Sequence, residues 1–496
     1  MNKRNFTILP ALVAAALLLF LCGSSANAAE SRPNIVFILT DDLGINDLGC
    51  YGRCEHRTPH LDAMAAAGTR FTSAYCAQPI CSPSRAAIMT GKHPARLHLT
   101  TYLPGRPDCP SQKLLHPVIR QQLPLEEKTL AEYLKPAGYV SACIGKWHLG
   151  GKGFGPEDQG FDVVYAGRAN TTPSETEGGK GEYDLTAQAM KFIEENRSRP
   201  FFLYLGHNTP HIPYAAKETL VAKNSKAFEP VYAAVIETMD DVVGLLLAKL
   251  DALGLAKNTI VIFTSDNGGL HVPELKHEKI THNTPYRAGK GFLHEGGLRI
   301  PLIVRWPGRV PAGRIVTAPV VNSDWAPTLL EMCSLPAPSG LDGASLASLL
   351  AGGEAPKRTF FWHFPHYNNQ GGQPEGAVRD GDWKLIEYYE GRVELFNLAR
   401  DVGELNNLAA SQPERVKQLR AKLAAWRDAT GVQANTLNPK FDAALHRALY
   451  EDMDVSRYNA STADAAEFAR VLEWRKQMDA VVPKPPRQAK KGKSKQ

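Results

Sequence analysis

At 496 residues the chain is longer than one ordinary domain and suits a large α/β body with a smaller second domain. Hydrophobic content of 43% and charged content of 22% exclude a disordered chain. The formal charge of +6 sits at the ends: Lys3 and Arg4 supply +2, and six basic residues from Lys484 to Lys495 supply +6. The body between is left at about −2, which excludes nucleic acid as the expected partner.

The chain begins like a signal peptide, residues 1–28. Lys3 and Arg4 form a basic start, Leu12 to Leu21 an apolar stretch, and Ala26-Asn27-Ala28 a small-residue cleavage site. The apolar run is short for a bilayer and no later segment is longer, so export without a stable membrane span is expected, to a periplasmic or extracellular location. Cys22 opens a lipoprotein alternative, against which the bulky Leu21 before it argues. Six further cysteines besides Cys22 and Cys81 allow fifteen pairings, and the sequence does not choose among them.

Apolar runs rich in β-branched or aromatic residues predict buried parallel strands over Asn34–Thr40, Tyr139–Ile144, Phe201–Leu205 and Thr259–Thr264. Helices are predicted over Leu61–Ala67, after Thr58-Pro59, and over Val231–Leu253, closed by Gly254. This alternation argues for a large, mostly parallel sheet flanked by helices. Gly352–Lys357 reads as a boundary, with the larger domain over 29–355 and a smaller α+β domain over 356–480. In the latter, Thr359–His363, Trp383–Tyr389 and Val393–Leu398 are expected as a small antiparallel sheet and Pro413–Thr430 as a helix. Residues 481–496 form a basic tail of disordered composition, and the stretch after Asn438 has no assigned place.

The residues just after each strand carry the functional signal. Asn34–Thr40 runs into Asp41-Asp42, Tyr139–Ile144 leads to Lys146 and His148, Phe201–Leu205 leads to His207 and His211, and Thr259–Thr264 leads to Asp266-Asn267. In open α/β sheets ligands bind at the carboxyl ends of strands, so four strands deliver reactive side chains to one edge. Asp41, Asp42, Asp266 and Asn267 together offer an all-oxygen set suited to a hard cation.

Cys81-Ser82-Pro83-Ser84-Arg85 with Thr90-Gly91 downstream resembles the sulfatase signature, in which the cysteine is oxidised to formylglycine by a maturation enzyme. Pro83 suits a helix first turn, which puts residue 81 at a helix N-terminus, where the dipole favours an anion. Gly145-Lys146-Trp147-His148-Leu149-Gly150 matches a second sulfatase signature, His211-Ile212-Pro213 gives the context of a substrate-binding histidine, and Gly289-Lys290-Gly291 that of a second sulfate-binding lysine. Arg379–Leu385 and Leu395–Leu408 extend the resemblance, which spans roughly Pro33 to Leu408. His294 departs from the aromatic residue common at its position, and His207 has no firm counterpart.

The resemblance implies an arylsulfatase-like enzyme of the alkaline-phosphatase-like superfamily, acting on a sulfated saccharide. Ca²⁺, ahead of Mg²⁺, is implied at Asp41, Asp42, Asp266, Asn267 and the residue derived from Cys81. Arg85 is implied to steady the nucleophile, with Asp266 a proton acceptor, and Lys146, Lys290 and His211 to contact substrate; His207, read from its place after the third strand, either contacts substrate with them or packs and hydrogen-bonds locally. His211 is implied as the proton donor to the leaving alcohol and His148 as the base that acts next. Two rivals stand beside this reading: a phosphodiesterase or phosphonate hydrolase of the same superfamily, and a catalytically silent glycan-binding protein. A histidine after the late aspartate would favour the first, and that position holds Asn267. Substrate subsites are expected from Ala95–Gln122, Arg168–Gly181 and the region of His363 and His366.

Overall fold

The computed structural model describes residues 32–483, so the signal peptide and nearly all of the basic tail lie outside the described residues. The main sheet has eight strands: β1 (Asn34–Asp41), β2 (Thr69–Phe71), β3 (Val140–Gly145), β4 (Val163–Tyr165), β5 (Phe201–Pro210), β6 (Thr259–Ser265), β7 (Leu302–Arg305) and β8 (Arg314–Val316). Their spatial order is β8-β2-β7-β6-β1-β5-β3-β4. Only β7 runs against its neighbours.

Strand β1 explains the layering. All eight of its residues are buried, and alternate side chains enter two different cores. Ile35, Phe37 and Leu39 pack with Trp325 and Leu329 of helix α5 (Trp325–Met332) and with Ala86 and Ile88 of α2 (Cys81–Thr90). Val36 and Ile38 pack on the other face, with Leu185 and Phe192 of α3 (Glu182–Glu195) and Val235 and Met239 of α4 (Pro230–Ala252). Helix α1 (Pro59–Ala66) joins that second layer through Leu61 and Met64.

The central strands fall where hydrophobic runs predict them, because burial on both faces demands uninterrupted apolar sequence. Two features differ. Strand β5 continues five residues beyond Leu205, through His207 to Pro210, because Asp41 still pairs with Pro210. Four short strands of three or four residues complete the sheet without any periodic signature, β7 among them.

The smaller sheet has four strands, β9 (Thr359–Phe364), β10 (Glu375–Asp380), β11 (Trp383–Tyr388) and β12 (Val393–Asn397), paired antiparallel in that order. Helix α6 (Pro413–Thr430) covers one face through Leu419 and Leu423. The other face joins the main core, where Trp362, Phe364, Ile386 and Phe396 belong to the same apolar cluster as Phe37 and Trp325. The stretch after Asn438 ends in α7 (Ala465–Ala480), whose Val471, Trp474 and Met478 pack against Tyr367 and Phe292. No disulfide joins any of the seven described cysteines, and no described helix is long and apolar enough to cross a membrane.

A buried ionic joint fastens the two sheets. Lys384 Nζ lies 2.8 Å from both Glu295 Oε1 and Glu404 Oε1, with all three side chains fully buried. Burial opposes ionisation of Glu295, but Lys384, Arg299 and Arg379 outweigh it and hold its carboxyl well below the usual range. Lys384→Ala would take the buried cation from Glu404 and leave Glu295 to Arg299 alone, a loss of about 3–5 kcal/mol. A large fall in the thermal midpoint, measured by calorimetry, is the expected result.

Candidate active site

Strands β1, β3, β5 and β6 are parallel, so their carboxyl ends share one edge, and helix α2 points its first turn there. Cys81 is the first residue of α2, whose ten residues are all buried. Ser84, on the same helix, donates to the Asp266 carbonyl, and Asn322 Nδ2 donates to Ser84 Oγ at 2.6 Å. Asn322 also accepts from the Ala77 amide at 2.9 Å, so one amide side chain fixes both the helix and the segment before it. Nothing in the sequence around Asn322 signals that role.

Three buried carboxylates meet three cations at this edge. Arg85, wholly buried, places Nε and Nη2 each 2.9 Å from Asp266 Oδ2, with Nη2 3.7 Å from Asp41 Oδ1. Its Nη1 donates to the Lys146 carbonyl at 2.8 Å. Lys146 Nζ lies 2.5 Å from Asp41 Oδ2, and Lys290 Nζ 2.7 Å from Asp42 Oδ2. Burial opposes ionisation of Asp41, but Lys146, His211 and Arg85 overcome it and keep the carboxyl well below its usual range. At Asp42, Lys290 and His211 likewise overcome burial. Asp266 behaves oppositely: burial and the neighbouring Asp41 push it up to about 7 despite Arg85.

The two candidate proton carriers differ in posture. His148 Nε2 donates to the Leu103 carbonyl at 3.0 Å, which leaves Nδ1 as a buried lone pair with no partner. Burial and Lys146 push its ring down to about 3. His211 Nδ1 donates to the Ile212 carbonyl, and its Nε2 stands 3.6 Å from Asp42 Oδ2. Burial and Lys290 push this ring down to about 3 as well. Asp42 and His148 hold φ of 68° and 59°, a left-handed backbone that costs a side-chain-bearing residue about 1–3 kcal/mol and is tolerated where the surroundings enforce it.

The donor set fits a hard cation. Ligand atoms of Asp41, Asp42, Cys81 and His211 lie within 4.8 Å of one another. Asp41 Oδ1 and Asn267 Oδ1 are buried acceptors without hydrogen-bond partners, while Asn267 Nδ2 is turned to Asp42 Oδ1 at 2.8 Å. Two orphaned oxygens among carboxylates are what an oxygen-seeking divalent ion satisfies. Burial pushes the Cys81 thiol far up against Lys146 and Lys290, so as an unmodified thiol it is protonated and weakly nucleophilic.

The remaining expected residues fall around this centre. His207 is wholly buried and its Nδ1 meets Glu182, so the partner it shows is a carboxylate of α3. His294 is equally buried and bonds Glu394 at 3.0 Å. His363 and His366 also point to interior partners, the Tyr389 hydroxyl and the Thr100 hydroxyl. The loop that carries His366 instead reaches the site through Asn368, whose Nδ2 donates to the Gly291 carbonyl at 2.6 Å, next to Lys290. The Ala95–Gln122 segment touches the centre at Leu103, which bonds both Ser82 and His148.

An α/β sheet whose strand ends gather carboxylates, lysines and histidines around a helix N-terminus defines a hydrolase of anionic esters. Similarity to known proteins narrows the class. The sulfatase family model matches residues 33–334, and that of the N-sulphoglucosamine sulphohydrolase C-terminal region matches 288–429. The chain is 35% identical to the dog (Canis lupus familiaris) N-acetylgalactosamine-6-sulfatase over 70% of its own length and 71% of the relative's. It is 32% identical to human (Homo sapiens) arylsulfatase A over 81% and 89% of the two chains. Among solved structures, Ps i-CgsB superposes with a TM-score of 0.70 at 28% identity, covering 80% of this chain and 93% of that one. The chain belongs to the sulfatase family and is a sulfuric ester hydrolase.

A divalent cation is therefore expected to raise the thermal midpoint, by the equivalent of about 2.7 kcal/mol at a hundred times its Kd. Asp41→Asn combined with Asn267→Ala should remove that shift, read by differential scanning fluorimetry without any substrate.

Proposed function

We propose that the protein hydrolyses sulfate esters of a sulfated carbohydrate, with formylglycine formed from Cys81 and one Ca²⁺ held by Asp41, Asp42, Asp266, Asn267 and position 81. One observation carries the reading: the residue at the start of α2 lies among Asp41, Asp42 and His211, with Lys146 and Lys290 on the same carboxylates. The saccharide is supported by relatives: Ps i-CgsB has been solved with k-i-k-neocarrahexaose, and the dog relative is named an N-acetylgalactosamine-6-sulfatase. Export by the segment 1–28 and encounter with a maturation enzyme belong to the same proposal.

Formylglycine, as its hydrate, would supply two geminal hydroxyls at position 81, and Ca²⁺ held by Asp41, Asp42, Asp266 and Asn267 would supply positive charge against the sulfate anion. The chain's own residues do the rest. Arg85 holds Asp266 and the Lys146 carbonyl, which keeps the carboxylates and the first turn of α2 in register. Lys146 and Lys290 bring charge to the sulfate oxygens at a largely buried edge, where such interactions are stronger than in water.

His211 Nε2 faces the centre and donates a proton to the leaving alcohol. Its ring is neutral in the free protein; a bound anion beside Lys290 favours the imidazolium. His148, whose buried Nδ1 is unprotonated and has no hydrogen-bond partner, accepts the proton from position 81 that releases sulfate. His207, held by Glu182, braces β5 and has no assigned contact with substrate.

Two outcomes test this reading. In protein made with a maturation enzyme, the tryptic peptide containing position 81 should carry CHO in place of CH₂SH, and Cys81→Ala should be inactive. An active protein with an unmodified thiol would refute the mechanism. The second test uses leaving-group chemistry. A sugar alkoxide needs a proton as its bond to sulfur breaks, and a nitrophenolate needs little help. A general acid contributes about 10²–10⁴-fold, only where the leaving group requires it. His211→Ala should thus slow a sulfated sugar far more than 4-nitrophenyl sulfate, and His148→Ala should slow both alike. Equal losses for His211→Ala on both substrates would remove it from the acid role.

A further inference from the structure

Lys180 stands apart from every other lysine near the site. It is 1% exposed, and among the described residues no carboxylate lies within ion-pairing distance of it. Its Nζ donates instead to three oxygens: Asn170 Oδ1 at 2.9 Å, the His211 carbonyl, and the Ile212 carbonyl at 3.1 Å. Burying a lysine without a counter-ion is costly, so its place needs an account in what it holds.

The Ile212 carbonyl is the group that His211 Nδ1 donates to. That bond decides which ring nitrogen carries hydrogen and which one faces Asp42. Lys180 therefore bonds the same oxygen that sets the His211 tautomer, and grips the backbone of His211 itself. Gly181, at a φ of 81°, turns the chain so that the next residue also reaches this segment. Glu182 accepts from the Thr209 hydroxyl and meets His207, two and four residues before His211. At the far side, Asn170 belongs to the loop over residues 168–181, expected from sequence to shape the substrate subsite.

We infer that Lys180 is a positioning residue for His211: by bonding the His211 and Ile212 carbonyls it fixes the tautomer and aim of the ring, and through Asn170 it draws the start of its own 168–181 loop to the same point. The inference rests on the general-acid reading of His211. Lys180 touches no reacting atom, and its loss should be felt only where His211 is needed.

The experiment uses the matured full chain and two aryl sulfates that share a binding mode but differ in leaving group, 4-nitrophenyl sulfate and 4-methoxyphenyl sulfate. Lys180→Met should lower kcat on the methoxy substrate about tenfold more than on the nitro substrate, with KM nearly unchanged, as expected when an acid is misplaced by less than about 1 Å. In a His211→Ala background the same substitution should cost nothing further, because residues acting as a unit are not additive. A loss equal on both substrates, or one that adds in full to that of His211→Ala, overturns the inference. Should Lys180→Met not fold, Lys180→Gln is read in the same way, since it keeps a donor but not the charge or reach. A smaller loss confined to the methoxy substrate supports the inference, and a uniform loss or none overturns it. The two readings fail separately: equal losses for His211→Ala remove the acid and this inference with it, whereas a selective His211→Ala beside an unselective Lys180→Met removes only the inference.

Discussion

Asp41, Asp42 and Asp266 occupy one edge of the sheet with almost no exposure to water, and they can do so only because Arg85, Lys146 and Lys290 arrive there from three other segments. A lone buried charge is penalised by several kcal/mol, so neither the carboxylates nor the cations could be assembled first. The strand ends, the first turn of α2 and the Gly289–Gly297 loop must therefore come together as one unit. The same balance leaves two oxygens, Asp41 Oδ1 and Asn267 Oδ1, without hydrogen-bond partners. The carboxylates are buried and those two oxygens still lack a hydrogen-bond donor, a setting in which a divalent ion is favoured.

The backbone beneath the cluster is built for close approach. A Cβ on Gly145 would stand 2.0 Å from the Gly206 carbonyl, and one on Gly206 would stand 2.5 Å from the Lys146 carbonyl and 3.3 Å from Arg85 Nη1. Strands β3 and β5 thus touch at paired glycines where they deliver Lys146 and the His211 segment. A methyl group there would push the Lys146 carbonyl off Arg85, and with it the guanidinium off Asp266. The left-handed backbone at Asp42 and His148 falls just after the strand ends that carry Asp41 and Gly145, where the chain turns sharply.

The chemistry of the edge separates the reading from its rivals. Asn267 offers an amide oxygen where an imidazole would suit Zn²⁺ or Mn²⁺, and Asp41, Asp42 and Asp266 add three buried carboxylates beside it. A protein that only binds glycans would need the lysines and the concave edge. It would not need a buried reactive position at a helix N-terminus with two histidines whose tautomers leave one nitrogen each facing inward. The smaller sheet takes part in this arrangement, because Asn368 braces the backbone beside Lys290 and Lys384 fastens Glu295 close behind it.

The sequence by itself determined the central strands and the residues directly after them. Strands buried on both faces must be continuously apolar, and Asn34–Thr40, Phe201–Leu205 and Thr259–Thr264 are. Charged residues at the end of such runs can only emerge at the strand ends, which places Asp41, Asp42, Lys146, His211, Asp266 and Asn267 together on one edge. Cys81 and Arg85 were legible because Pro83 starts a helix and the pentapeptide resembles the sulfatase signature. Only the tertiary structure decided the rest. Three-residue strands such as Thr69–Phe71 carry no period and exist through their neighbours. The partners of His207, His363 and His366 are distant in sequence, so their burial could not be read from local pattern. Lys180, Glu182, Asn322 and Asn368 look like ordinary polar residues of loops and helix starts. Their roles arise from bonds across 10 to 245 residues, and no local sequence encodes a contact that the folded chain alone creates.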